Sequence, residues 1–252
     1  MESTPAPPPV PTPGRPPVRW GLPDVALAWV AGLVASLIAA LIGIAILSPP
    51  TDQVDDDVGV LLFGLLGQNI GILGVLLLVS VKKGLGSLGR DFGLRRPLDH
   101  PWLWGLLYLL CGVALQIGLS LLLLPIASLA DDDTQGVVDL FEDARGVELA
   151  LFAAGVVVVA PFVEELLFRG ALLRALLRKT SPGWAVFGSA LAFAAVHVLL
   201  SPTIGDVVPV PALMGLGVVS GAVAVRTGNL YGSILLHAGF NLLTAVTVLV
   251  SA

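Results

Sequence analysis

The stretch that decides how this chain is read is Glu164–Glu165–Leu166–Leu167–Phe168–Arg169–Gly170, which directly follows a run, 149–163, holding no charge at all. An ionisable side chain at membrane depth costs roughly 2.5–3.5 kcal/mol on insertion scales, so such groups rarely persist there without a task. Glu165 and Arg169 stand i, i+4 on a helix and can pair across one turn. Glu164 lies about 100° further round and has no partner from its own segment. A neutralised pair beside a spare carboxylate suits catalysis. The bland alternative is that these charges mark the interfacial end of a helix continuing into Arg174, Arg178 and Lys179.

Composition supports the membrane setting. Of 252 residues, 56% are hydrophobic and 12% charged, with a mean hydropathy of +0.94, as in a polytopic membrane protein. The single cysteine, Cys111, excludes an internal disulfide and a cysteine-based metal cluster. It reads as a small apolar filler.

Residues 1–23 form a Pro-rich leader expected to be disordered. It is not a signal peptide, because the apolar stretch after it is too long for an h-region. Seven apolar runs follow, at about 24–48, 58–81, 102–124, 149–168, 184–200, 207–225 and 230–250. Each is near the ~20 residues needed to cross ~30 Å of hydrocarbon. Helices are expected, because a spanning backbone must satisfy its own hydrogen bonds and the alternation of a barrel is absent. The fold expected is thus an all-α membrane bundle: a leader (1–23), three N-terminal helices (24–124) and a helical core (149–250).

Loop charges segregate. Lys82, Lys83, Arg90, Arg95 and Arg96 crowd one loop, Arg174, Arg178 and Lys179 another, and Arg226 a third. The alternate loops carry Asp52, Asp55–Asp57, Asp131–Asp133, Asp139, Glu142 and Asp143, with Arg145 their only basic residue. Putting the basic loops inside gives a cytoplasmic N-terminus and an outside C-terminus. The acidic loops read as solvated turns, since no EF-hand spacing supports calcium. Gly67–Gly71 and Gly217–Gly221 both fit GxxxG and read as close helix contacts within the bundle. Gln68 and Asn69 are expected to bond between helices.

Two further segments repeat the anomaly. Phe193 and His197 share a helix face, as do His237 and Asn241, and His197 and His237 are two of only three histidines. Each histidine alone could be a packing residue, and Asn241 alone helix glue. Together with Glu164 they suggest a buried hydrolytic site. If the fourth and fifth runs pair antiparallel about Ser181–Pro182, Glu164 and His197 stand at matching height. His237 stands nearer its own turn, so the fourth helix must extend beyond the membrane, tilt, or both.

Glu164-Glu165-x-x-x-Arg169, Phe193-x-x-x-His197 and His237-x-x-x-Asn241 resemble the EExxxR, FxxxH and HxxxN motifs of the CPBP family. This family includes CAAX prenyl proteases of the Rce1 type, bacteriocin-processing enzymes and the Abi proteins. The resemblance covers roughly 149–245. It implies an intramembrane endopeptidase in which Glu164 and His197 activate water and His237 and Asn241 stabilise the oxyanion. Glu165, Arg169 and Phe193 would organise the site. A metal-free, glutamate-type mechanism is favoured over Zn²⁺, because HExxH is absent and Arg169 would oppose a cation. The partners expected are the bilayer and a peptide or protein substrate, lipid-bearing in the prenyl branch, with no nucleic acid; the sequence is silent on oligomeric state. The location expected is a bacterial plasma membrane. The rival reading is a scaffold, immunity protein or proton-coupled transporter using the same buried Glu and His.

Overall fold

The computed structural model describes residues 18–51, 54, 57–95, 100–127, 146–199 and 210–251, all helix, turn or loop with no strand among them. The helices are α1 (Leu22–Leu47), α2 (Val58–Lys83), a short α3 (Leu88–Phe92) and α4 (Pro101–Ala127). A long composite α5 then runs from Val147 to Leu177. It is followed by α6 (Pro182–Leu199), α7 (Val210–Thr227) and α8 (Tyr231–Ser251). The acidic segment 131–143, residues 1–17 and the α6–α7 connection (200–209) lie outside the described residues.

Among the described residues, five stretches are long and apolar enough to span a membrane: Leu22–Leu47, Val58–Lys83, Pro101–Pro125, Leu149–Leu177 and Val210–Thr227. The two other runs expected to span form shorter apolar helices, Pro182–Val198 and Tyr231–Val246.

Glycine sets the closest helix approaches. A Cβ on Gly67 would sit 2.5 Å from the Ala35 carbonyl oxygen, and one on Gly71 2.7 Å from that of Ala31, so α1 and α2 pack backbone to backbone. Gly217 and Gly221 face Ala190 and Val186 of α6. Both GxxxG pairs therefore serve packing inside the bundle. A third approach carries no such motif: Gly112 of α4 and Gly239 of α8 meet the Leu236 and Leu109 carbonyls.

One end of the bundle is clasped by polar contacts. Asp91 of α3 is buried and accepts from Trp20 Nε1 at 3.3 Å, Ser80 Oγ at 2.7 Å and the Leu85 amide at 2.9 Å. One satisfied carboxylate thus ties together α2, α3, the loop between them and the residue that leads into α1. Arg178 stacks over the Trp20 ring and donates to the Trp20 carbonyl, and Lys83 pairs with Asp24. These contacts gather the start of α1 and the ends of α2 and α5 at one face, bringing two of the three basic segments together. They also revise the leader: Trp20 is buried, and Leu22 and Pro23 already belong to α1. Cys111 is exposed on α4 instead of filling a core gap, and Asn69 bonds within its own helix, to the Leu65 carbonyl.

Gly71→Leu should lower the melting temperature of the detergent-purified protein by several degrees, since overpacking costs about 1–3 kcal/mol. Gly74→Leu on the same helix, where an added Cβ meets nothing within 4 Å, should leave it nearly unchanged.

Candidate active site

Helix α5 carries the two glutamates between two irregular segments. Val147–Ala154 and Ala160–Glu165 are α-helical, whereas Gly155–Val159 and Leu166–Leu172 are π-helical, and Leu173–Leu177 returns to α. Such π segments are rare and often sit at functional sites. Their cause is visible for the first. Pro161 has no N–H, and the Ala160 N–H reaches back to the Gly155 carbonyl.

The polar core is built on Glu165, which is fully buried. Its Oε1 lies 3.0 Å from Arg169 Nη1 and 3.2 Å from His237 Nδ1. The expected i, i+4 pair therefore forms, and a histidine from α8 joins it. No guanidinium N–H of Arg169 is aligned on an acceptor, so the attraction is one of charges, not of an aimed hydrogen bond. The Phe193 ring, 4.5 Å from Arg169 Cζ, adds a cation–π contact. Phe193 also meets the His237 ring edge to face at 5.5 Å and the His197 ring at 4.7 Å. It is the apolar hub of the site.

Glu164 is the more open carboxylate, its side chain 24% exposed, with Oε2 3.7 Å from His237 Nε2. It lines a cavity of about 180 Å³ with His197, Leu167, Phe168 and Val196. Trp29 of α1 and Gln68 and Ile72 of α2 form the far wall. His197 Nδ1 is 2.7 Å from the Phe193 carbonyl. A carbonyl only accepts, so Nδ1 carries the proton and the neutral ring keeps its lone pair on Nε2. By the same logic, His237 Nδ1–H donates to the Glu165 carboxylate.

Heights along the helices agree. Arg174 Nη2 donates to the Gly228 carbonyl at 3.1 Å, which levels α5 with the α7–α8 turn. Glu165 stands nine residues before Arg174 and His237 nine after Gly228. The extension of α5 to Leu177 is what removes the mismatch that the sequence poses.

Of the expected residues, Glu164, Glu165, Arg169, Phe193, His197 and His237 are thus brought together. Asn241 is not: its Nδ2 donates to the Val156 carbonyl at 2.9 Å, inside the first π segment. Two groups escaped the sequence reading. Ser189, fully buried, donates from Oγ to the Phe168 carbonyl at 2.9 Å, inside the second π segment. Gln68 lines the cavity instead of bridging helices. Pro161 was the available signal for the first π segment; a buried serine in an apolar helix offers none for the second.

Among the described residues no three His, Cys, Asp or Glu side chains converge as a ligand set, and Arg169 occupies the charge-balancing position beside Glu165.

Residues 146–243 match the family model described as type II CAAX prenyl endopeptidase, Rce1-like. The match spans α5 to α8 and all three motifs, and over this region the chain is similar to that family. No curated protein and no solved structure matched the chain.

Arg169→Met should cost about 3–5 kcal/mol in chemical unfolding, because it strands the buried Glu165 charge. Adding Glu165→Gln to it should return a large part of that loss.

Proposed function

We propose that the protein is an intramembrane endopeptidase of the glutamate type. Glu164 and His197 activate one water molecule, and its oxygen attacks the carbonyl carbon of the scissile peptide. Its protons pass through these groups to the departing amine. What carries this reading is the cavity shared by Glu164 and His197, with a histidine from a third helix 3.7 Å from the same glutamate. A base in contact with water and a preorganised donor are the two parts that peptide hydrolysis needs.

His237 is the donor to the developing oxyanion. With Glu165 accepting at Nδ1, an Nε2–H means the doubly protonated ring, whose charge the two glutamates balance. Arg169 in turn pairs with Glu165, and Phe193 packs against the rings of both histidines. The mechanism is metal-free: the guanidinium beside Glu165 takes the role a cation would need.

The substrate is a peptide or protein entering from the bilayer, in the prenyl branch a lipid-bearing tail. Trp29, Gln68 and Ile72 shape the wall it meets, and they come from helices outside the matched region. All seven apolar helices are placed across the bilayer with the basic end cytoplasmic and the C-terminus outside, as the positive-inside rule requires. The membrane is a bacterial plasma membrane.

Glu164→Gln and His197→Ala should each lower single-turnover cleavage by roughly 10²–10⁴, the range for removing a general base, with melting temperature and helicity unchanged. Cleavage by both variants at the wild-type rate would move the protein to the scaffold or proton-transport reading. Chelator in the same assay should leave the rate unchanged, and its loss would restore Zn²⁺.

A further inference from the structure

We propose that Asn241 is a positioning residue: its amide satisfies the Val156 carbonyl that Pro161 leaves without an N–H, and this bond sets His237 in register with Glu164 and Glu165. The inference rests on the protease reading above and changes the part that the motif resemblance gives to Asn241.

The derivation begins with hydrogen-bond supply along α5. In the π segment Gly155–Val159 the Ala160 N–H is taken by the Gly155 carbonyl, five residues back. The next donor in that series, five residues after Val156, would be the N–H of residue 161. Residue 161 is proline and has none. A carbonyl without a donor is costly inside a bilayer, where no water can replace it. The Asn241 carboxamide fills the gap, with Nδ2 2.9 Å from the Val156 oxygen. Its donor comes from a separate helix, so the bond also fastens α8 to α5.

The position of that fastening matters more than its strength. Asn241 stands one turn beyond His237 on α8, on the same face. Val156 stands about two turns before the glutamates on α5. One end of the His237 contact is therefore held by the Asn241 bond. The other end is held by the Arg174 bond to Gly228. Between these two ties, His237 can bring Nδ1 to 3.2 Å from Glu165 and Nε2 to 3.7 Å from Glu164. The carboxamide itself does not line the cavity of Glu164 and His197, whose only carboxamide among the described residues is that of Gln68. Ser189 on the Phe168 carbonyl makes the matching tie at the second π segment, so both irregular segments of α5 are held from outside.

The test is a double-mutant cycle on the full-length purified protein, reading kcat and KM for cleavage of a membrane-embedded peptide. Asn241→Ala should lower kcat about ten- to a hundredfold with KM within about threefold, as for a lost interaction that leaves one buried acceptor unpaired. Pro161→Ala restores an N–H in reach of Val156 and should by itself keep cleavage within about threefold. In the Pro161→Ala background, Asn241→Ala should cost less than about threefold, because the carbonyl has its own helix donor again. An oxyanion donor would be missed equally in both backgrounds, and that result overturns the proposal. If Asn241→Ala is too unstable to assay, Asn241→Ser replaces it and the cycle is read in melting temperature. Coupling of the two sites then upholds the tie, and additivity sinks it. The melting-temperature cycle does not depend on catalysis, so an inactive wild-type protein would count against the protease reading alone.

Discussion

A single buried carboxylate, Glu165, holds the functional half of this protein together. It takes charge from Arg169 one turn along its own helix and a hydrogen bond from His237 on the last helix. A lone carboxylate in this setting would be prohibitively costly, and so would a lone guanidinium. Each therefore requires the other, and the pair requires α8 alongside α5. The arrangement that neutralises the charges is the same one that delivers a histidine to Glu164.

The second constraint is backbone geometry. Two π segments bracket the Glu164–Glu165 pair, and each has a carbonyl that accepts from a side chain of a neighbouring helix, Asn241 for Val156 and Ser189 for Phe168. Widened turns change which way the following side chains point, so an α-helical wheel drawn through 149–177 misplaces them. Holding these turns from outside converts an irregular backbone into a defined one. The clasp around Asp91 ties the start of α1, α2 and α3 together at the basic end, and Arg178 against Trp20 joins them to the matched region. The N-terminal helices are part of the site's construction, since they supply one wall of its cavity.

Much of this is legible in residue types alone. Charges after an uncharged run disclose Glu164, Glu165 and Arg169; two of three histidines in apolar segments disclose His197 and His237; glycine at four-residue spacing discloses the α1–α2 and α6–α7 contacts. Other features are hidden for physical reasons. The Gly112–Gly239 approach is formed by glycines far apart in the chain, which no local spacing can register. Ser189 looks like any small residue until its hydroxyl is seen against the Phe168 carbonyl. Asn241 shares a face with His237, as expected, yet its amide is claimed by a backbone group five residues before Pro161.

The central claim is that His237 is a hydrogen-bond donor through Nδ1 to the Glu165 side chain, and ¹⁵N-histidine NMR of the purified protein tests it most directly. With three histidines in the chain, His237→Gln identifies the resonance by its loss. The account predicts a protonated Nδ1 on His237 whose proton lies well downfield and moves upfield in Glu165→Gln, while the His197 signals stay in place. A His237 ring with bare Nδ1, or one indifferent to Glu165→Gln, would contradict it.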